Sequence, residues 1–253
     1  MYSALTMFVA LIASHAWAHK PSFANDYFNA GSAFTIDDPD VSIVLYAEMT
    51  CTESELWMQM ETVDRNEIWV ELGVPMLDRL ETYRPALALV APGLPDVDLP
   101  FDIPANMGAN IIETDDVDDP LYFYEPFTQT ESWILYQGWM EVPANEEVFL
   151  VSWNPSEFTG KLWVAVGKTE DFSDVGVDQF AEWVEKTQAY YEFDDDEEHT
   201  ELDCSLVSDP PGMQDQPTKE GGCSTIPSHD HRLGPAVFFL MLFMRRRHPD
   251  ALT

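Results

Sequence analysis

Val148-Phe149-Leu150-Val151-Ser152-Trp153, a turn at Asn154-Pro155-Ser156, and then Leu162-Trp163-Val164-Ala165-Val166 decide how this chain folds. Both runs are short, rich in β-branched and aromatic residues, and bounded by turn formers, which is the pattern of β-strands. Working outward, Val41-Ser42-Ile43-Val44-Leu45-Tyr46 has the same character. Leu56, Met58 and Met60 alternate with polar residues, as do Ile68, Val70 and Leu72. A period of two gives each strand one packed face and one wet face. Pro85-Ala86-Leu87-Ala88-Leu89-Val90 is continuously apolar, which suits a central strand, and Trp133-Ile134-Leu135-Tyr136 adds another candidate. Turn signals punctuate these runs at Val63 to Asn66, Ala91 to Pro95 and Pro143 to Glu146. Seven or eight short strands spaced this way predict a mainly β fold, a β-sandwich or jelly roll, and not βαβ units.

Two segments break the strand rhythm. Pro92 to Pro126 reads as a long, acidic, Pro-rich loop that wraps the sandwich edge, because so long a loop is seldom structureless in a compact domain. Near its end, Tyr122-Phe123-Tyr124-Glu125-Pro126-Phe127 is dense in aromatic residues, a carbohydrate platform if exposed and core if not. Val177, Phe180, Trp183, Val184 and Tyr191 then fall at helical spacing, predicting one amphipathic helix over 177–191 that packs its apolar stripe on the sheet.

The pattern of Leu45-Tyr46-Ala47-Glu48, Ile68-Trp69-Val70-Glu71-Leu72 and Arg84 to Leu89, closing in Glu147 to Trp153 and Gly160 to Gly167, resembles the pre-peptidase C-terminal type of β-sandwich. The resemblance spans about residues 41–167 and is one of pattern, without a motif. Modules of that type are accessory domains of secreted bacterial proteins, which implies a non-catalytic binding or structural role.

The ends read as address labels. Met7 to Ala13 is an apolar core leading to Ala16-Trp17-Ala18, the small-residue spacing of a signal-peptide cleavage site, so residues 1–18 are expected to be a signal helix removed after Ala18. Its first residues, Met1 to Thr6, carry no Lys or Arg. At the other end, Gly221-Gly222-Cys223-Ser224 precedes an apolar run from Leu233 to Met244 and then Arg245-Arg246-Arg247. That run is shorter than the roughly 20 residues a straight spanning helix needs, and the arginines would stay on the cytoplasmic side. Gly-Cys, short apolar helix and arginine cluster, in this order, resemble the myxosortase-type (MYXO-CTERM) sorting tails of Gram-negative surface proteins. The resemblance covers residues 221–247 and implies a membrane sorting protease as partner, with Cys223 the site of processing or attachment. The polar stretch Ser228 to Arg232 and the six residues after Arg247 depart from that pattern, and a plain membrane anchor is the alternative. The implied layout is a signal peptide at 1–18, a β domain with its closing helix at 19–192, an acidic Pro-rich stalk at 193–222 and a sorting tail at 223–253. The expected location is the cell surface or outer membrane of a Gram-negative bacterium.

Charge excludes one class of function. The formal net charge is −34, and all acidic residues but Asp230 and Asp250 lie between residues 19 and 222. Such a surface repels phosphate backbones, so nucleic acid is not a partner. With Cys223 assigned to the tail, Cys51 and Cys204 remain as a candidate disulfide in an oxidising compartment, two free thiols being the alternative.

Chemistry-bearing motifs are scarce. There is no H-E-x-x-H, C-x-x-C, G-x-S-x-G or P-loop. His19 and His199 are the histidines of the body, and neither is expected inside the packed domain, which leaves a serine or cysteine triad without a base. Cleavage after Ala18 would make His19 the mature N-terminus, where its amine and imidazole, joined by His199, offer nitrogen ligands suited to copper. The alternative is a disordered terminal residue. Carboxylate-rich loops at Asp37 to Asp40, Asp96 to Asp98 and Asp115 to Asp119 offer oxygen ligands for calcium, without EF-hand spacing. The first expectation is a non-catalytic binding or envelope protein. The second is a metal-binding protein or metal-dependent enzyme built on His19.

Overall fold

The computed structural model describes residues 19–24, 26–155, 158–192 and 204. The segments 1–18 and 223–253, and the stalk apart from Cys204, lie outside the described residues, and with them Ala18, His199, Cys223 and Arg245 to Arg247. Within the described residues the chain is mainly β, with eleven strands in two sheets and one α-helix. The six-stranded sheet runs in the spatial order β1 (Lys20–Phe23), β3 (Ile43–Met49), β11 (Gly160–Val166), β5 (Glu67–Pro75), β9 (Thr130–Glu141), β8 (Leu121–Glu125). The five-stranded sheet runs β2 (Phe34–Ile36), β4 (Glu55–Glu61), β10 (Glu147–Trp153), β6 (Ala86–Pro92), β7 (Met107–Ile112). The pairs β1–β3 and β2–β4 are parallel, and all the others are antiparallel. Among the described residues no helix is long and apolar enough to cross a membrane.

The sheets stack face to face, as in a β-sandwich, because alternate residues of both feed one core. Leu45 and Ala47 of β3, Leu162 and Val164 of β11, and Leu72 of β5 meet Met58 of β4, Leu150 of β10 and Leu89 of β6. Each fully buried aliphatic side chain here is worth about 1.5–3 kcal/mol over exposure. β10 and β11 are central strands of different sheets, so the turn at Asn154 carries the chain from one layer to the other.

Their continuous apolarity has a second cause. The outer faces of both sheets are covered too. Phe149, Val151 and Trp153 point away from the core and pack under Val97, Leu99, Phe101 and Ile103. The long acidic segment is therefore not only an edge wrap. It lays an apolar strip across one sheet face, then forms β7 in that sheet and β8 in the other. Gly108 of β7 admits this strip, since a Cβ there would stand 2.1 Å from the Leu94 carbonyl oxygen.

The outer face of the six-stranded sheet is covered by α1 (Val177–Tyr190), close to the expected span. The buried stripe is shifted, however. Val177 is 85% exposed, and Thr187, polar and absent from the apolar pattern, is the one fully buried residue of the helix. The helix docks through its last turn, where the Tyr190 hydroxyl lies 2.7 Å from the carbonyl oxygens of both Ala47 and Leu162. Lys161, nearly buried in β11, donates to the carbonyls of Tyr190 and Glu192 at 3.1 and 3.0 Å. That places a cation at the negative end of the helix dipole and satisfies its last carbonyls. Under the helix, the ring of Trp163 lies against Gly73, where β5 shifts register against β9. A Cβ at Gly73 would sit 2.2 Å from that ring, so the bulge and the glycine together make room for the indole.

Cys51 and Cys204 are bonded, with Cα atoms 5.2 Å apart across 153 residues of sequence.

Candidate functional site

The helix-covered face of the six-stranded sheet collects the titratable groups. His19 is there, and this corrects the expectation that no body histidine lies in the packed domain. Parallel pairing of Lys20 with Ile43 at the start of β1 sets His19 beside Ser42, and the Lys20 N–H donates to the Ser42 carbonyl at 2.9 Å. The His19 side chain is 7% exposed. Its Nδ1 is hydrogen-bonded to the Ser42 hydroxyl, and its Nε2 lies 3.9 Å from Glu71 Oε2. The facing carboxylate favours the proton on Nε2, leaving Nδ1 to accept from Ser42.

Glu71 is 5% exposed and takes the Trp69 indole N–H on Oε1 at 2.8 Å. Burial pushes its carboxyl upward, while the Trp69 hydrogen bond and the Lys168 charge pull the other way. Lys168 stands over the Trp69 ring, 3.8 Å from its centre. Burial lowers the His19 pKa to about 4. Desolvation is the cause, because burial penalises the charged form, and the imidazole is neutral at pH 7.

Two spaces open on this face, and His19 and Phe123 line both. One lies beside Glu71, Gln137 and Leu121, with about 620 Å³ of volume free of protein atoms. The other is a chamber between sheet and helix, walled by Tyr46, Phe123, Phe127 and Trp163, with Glu125, Thr128 and Thr187 contributing polar atoms. Its free volume is about 430 Å³, but it is narrow, with about 20 Å³ open to the centre of a water molecule. Glu125 is 9% exposed, and its Oε1 accepts the Phe127 backbone N–H at 3.0 Å. Burial, with the nearby Glu170 charge, raises its pKa against the pull of that hydrogen bond. The Tyr191 hydroxyl, hydrogen-bonded to Ser132 at 2.7 Å, is pushed up to about 12 by burial.

Ser42, His19 and Glu71 look superficially like a nucleophile, base and orienting acid. The geometry does not complete that array. Ser42 is 3% exposed and lines neither space, and a carboxylate at 3.9 Å makes no hydrogen bond to the ring. An imidazole with a pKa near 4 is also a weak base at neutral pH.

The metal expectations fare as follows. His199 lies outside the described residues, so His19 stands without its proposed partner, and its Nδ1 is taken by Ser42. Among the described residues no group of three or more His, Cys, Asp or Glu is placed to hold a metal ion, the three carboxylate-rich loops included. The aromatic cluster is divided by strand alternation. Phe123 turns toward the chamber with Glu125, while Tyr122 and Tyr124 turn to the other side and are 52% and 45% exposed. Trp139, 54% exposed, lies on the cleft face, its ring edge-on to Trp69 with centres 5.5 Å apart.

His19 makes stability depend on pH. In the unfolded chain it binds a proton below about 6.5, and in the fold only below about 4. Its contribution is complete above pH 6.5 and is lost as pH falls toward 4. Between pH 7.5 and 5.0 the loss is about 2 kcal/mol at 1.36 kcal/mol per pKa unit. Glu71 and Glu125, with raised pKa values, act in the opposite sense, favouring the fold below the ordinary carboxylate pKa and losing that contribution as pH rises through their folded values. His19→Gln isolates the histidine. Urea midpoints at the two pH values should fall further for the wild type than for the variant, and equal falls would refute the assignment.

No protein-family model matches this sequence, and no curated protein is significantly similar to it.

Proposed function

We propose that this protein is exported, is held at the surface of a Gram-negative cell by its C-terminal tail, and binds a ligand there without transforming it. The observation that carries the reading is the helix-covered sheet face. It brings together His19, Glu71, Glu125, aromatic rings and two openings, one of them narrow, while the one serine bonded to the histidine is shut away from both. Perturbed titratable groups around an aromatic-lined cleft are the usual mark of a binding site. The Cys51–Cys204 bond supports an oxidising compartment. Cleavage after Ala18 would leave every described strand intact, since β1 starts at Lys20. The very acidic surface favours cationic partners and disfavours nucleic acid. Metal binding through His19 gains no support from the geometry, because a metal on Nδ1 would have to displace Ser42.

The test is protease treatment of intact cells of the native host, followed by immunoblotting and by mass spectrometry of the purified chain. External protease should remove the β domain, the mature chain should begin at His19, and Cys223→Ala should change C-terminal processing. A domain protected until the cells are lysed, or a mature chain that retains residues 1–18, would overturn the proposal.

A further inference from the structure

The chamber between α1 and the six-stranded sheet holds a carboxylate without a counter-ion. Glu125 is nearly buried, one of its oxygens is bonded to a backbone N–H, and among the described residues no Lys, Arg or His pairs with it. Burying a carboxylate unpaired is costly, and a cation that enters recovers part of that cost. Thr187, wholly buried in the helix, also lines the chamber, and its hydroxyl lies near that of Tyr46 without a hydrogen bond of normal geometry. The Thr128 hydroxyl, bonded to Thr130 at 2.8 Å, supplies a third polar group to the lining.

We infer that this chamber is a binding site for a primary alkylammonium group. Three features of the cavity select that chemistry. The three N–H donors of an ammonium match three acceptors: the free oxygen of Glu125 and the hydroxyl oxygens of Thr187 and Thr128. The rings of Tyr46, Phe123 and Phe127 line the space, and aromatic rings attract a cation and pack against the methylene next to it. The space open to a water centre, about 20 Å³, admits one or two water-sized groups. An ammonium head is that size, and a trimethylammonium head or a sugar ring is larger. The net charge of −34 concentrates cations around the domain. The ligand class is therefore an amine-terminated chain, such as a lysine side chain or a small diamine.

This inference rests on the reading of the same face as a binding face and adds the ligand's chemistry. The test is isothermal titration of the mature full-length protein at pH 7.5 with n-butylammonium chloride. Tetramethylammonium chloride and 1-butanol are the size and charge controls. Butylammonium should bind saturably, and both controls at least tenfold more weakly. Glu125→Gln, checked for cooperative melting, should weaken butylammonium at least tenfold. Thr187→Val should weaken it less while keeping the fold. Absence of saturable binding, binding equal to that of butanol, or an undiminished affinity in Glu125→Gln would each overturn the inference. Such a failure removes the amine site alone, because display of the domain at the cell surface is read independently by the protease assay.

Discussion

Trp57→Ala is expected to cost about 3–5 kcal/mol of folding stability, as truncation of a buried tryptophan typically does. Trp57 is 1% exposed and sits where β4, β10 and the acidic segment meet. Its ring stands edge-on to Phe101 and Phe149, with centres 5.4 and 5.7 Å apart, and Phe101 in turn packs on Trp153 at 5.3 Å. Alanine leaves a cavity and also loosens the strip from Val97 to Ile103 that roofs this sheet face. A domain of this size has about 5–15 kcal/mol in hand, so much of its stability would go. Urea denaturation followed by fluorescence measures the loss. Trp139→Ala is the control, since that residue is 54% exposed and touches one partner ring. Its cost should stay within about 1 kcal/mol. Equal costs for the two variants would show that the strip over the five-stranded sheet is not part of the cooperative fold.

Opening the disulfide should have the second large effect. Cys51 and Cys204 close a loop of 153 residues that contains β4 to β11 and α1. In the chain-entropy account, a loop of that length restricts the unfolded state by about 5 kcal/mol, and removal of native disulfides typically costs about 2–5 kcal/mol. Reductant should lower the melting temperature of the wild type and leave Cys51→Ser/Cys204→Ser unaffected. Cys223→Ser should keep the wild-type response to reductant. A wild type insensitive to reductant, under conditions that free both thiols, would refute a stabilising role for the bond.

The legible and illegible parts of the fold divide along one physical line. Strands β3 to β6 and β9 to β11 and helix α1 were readable because each has its own apolar periodicity. Strands β1, β2, β7 and β8 were not, and all four border only one neighbour, at a sheet edge. They are three to six residues long, and β1 carries Pro21. What makes them strands is the partner they pair with, which no local pattern announces. The site was missed for the same reason. His19 looked like a loose end because its neighbours in sequence are polar or terminal. It is a buried residue because β1 pairs in parallel with β3, which sets it against Ser42, and because β11 brings β5 and Glu71 alongside. Glu125 looked like one acid among many. Its isolation follows from Phe123, Phe127 and α1 closing over it. A feature that did show in the sequence is the continuous apolar character of β6 and β11, which signals cover on both faces and hence something lying over each sheet.

By itself, the sequence determined the β character of the domain, the helix that ends it, the acidic surface and which two cysteines were left to pair. Each of these depends on residue type or on spacing along a few residues. Only the tertiary structure decided which sheet each strand joins, that the acidic segment roofs one face, and that residues as distant as His19, Glu71, Glu125 and Thr187 share another. These are properties of pairing and burial between segments far apart in the chain, and the free energy that fixes them is released only when the two layers and their covers come together.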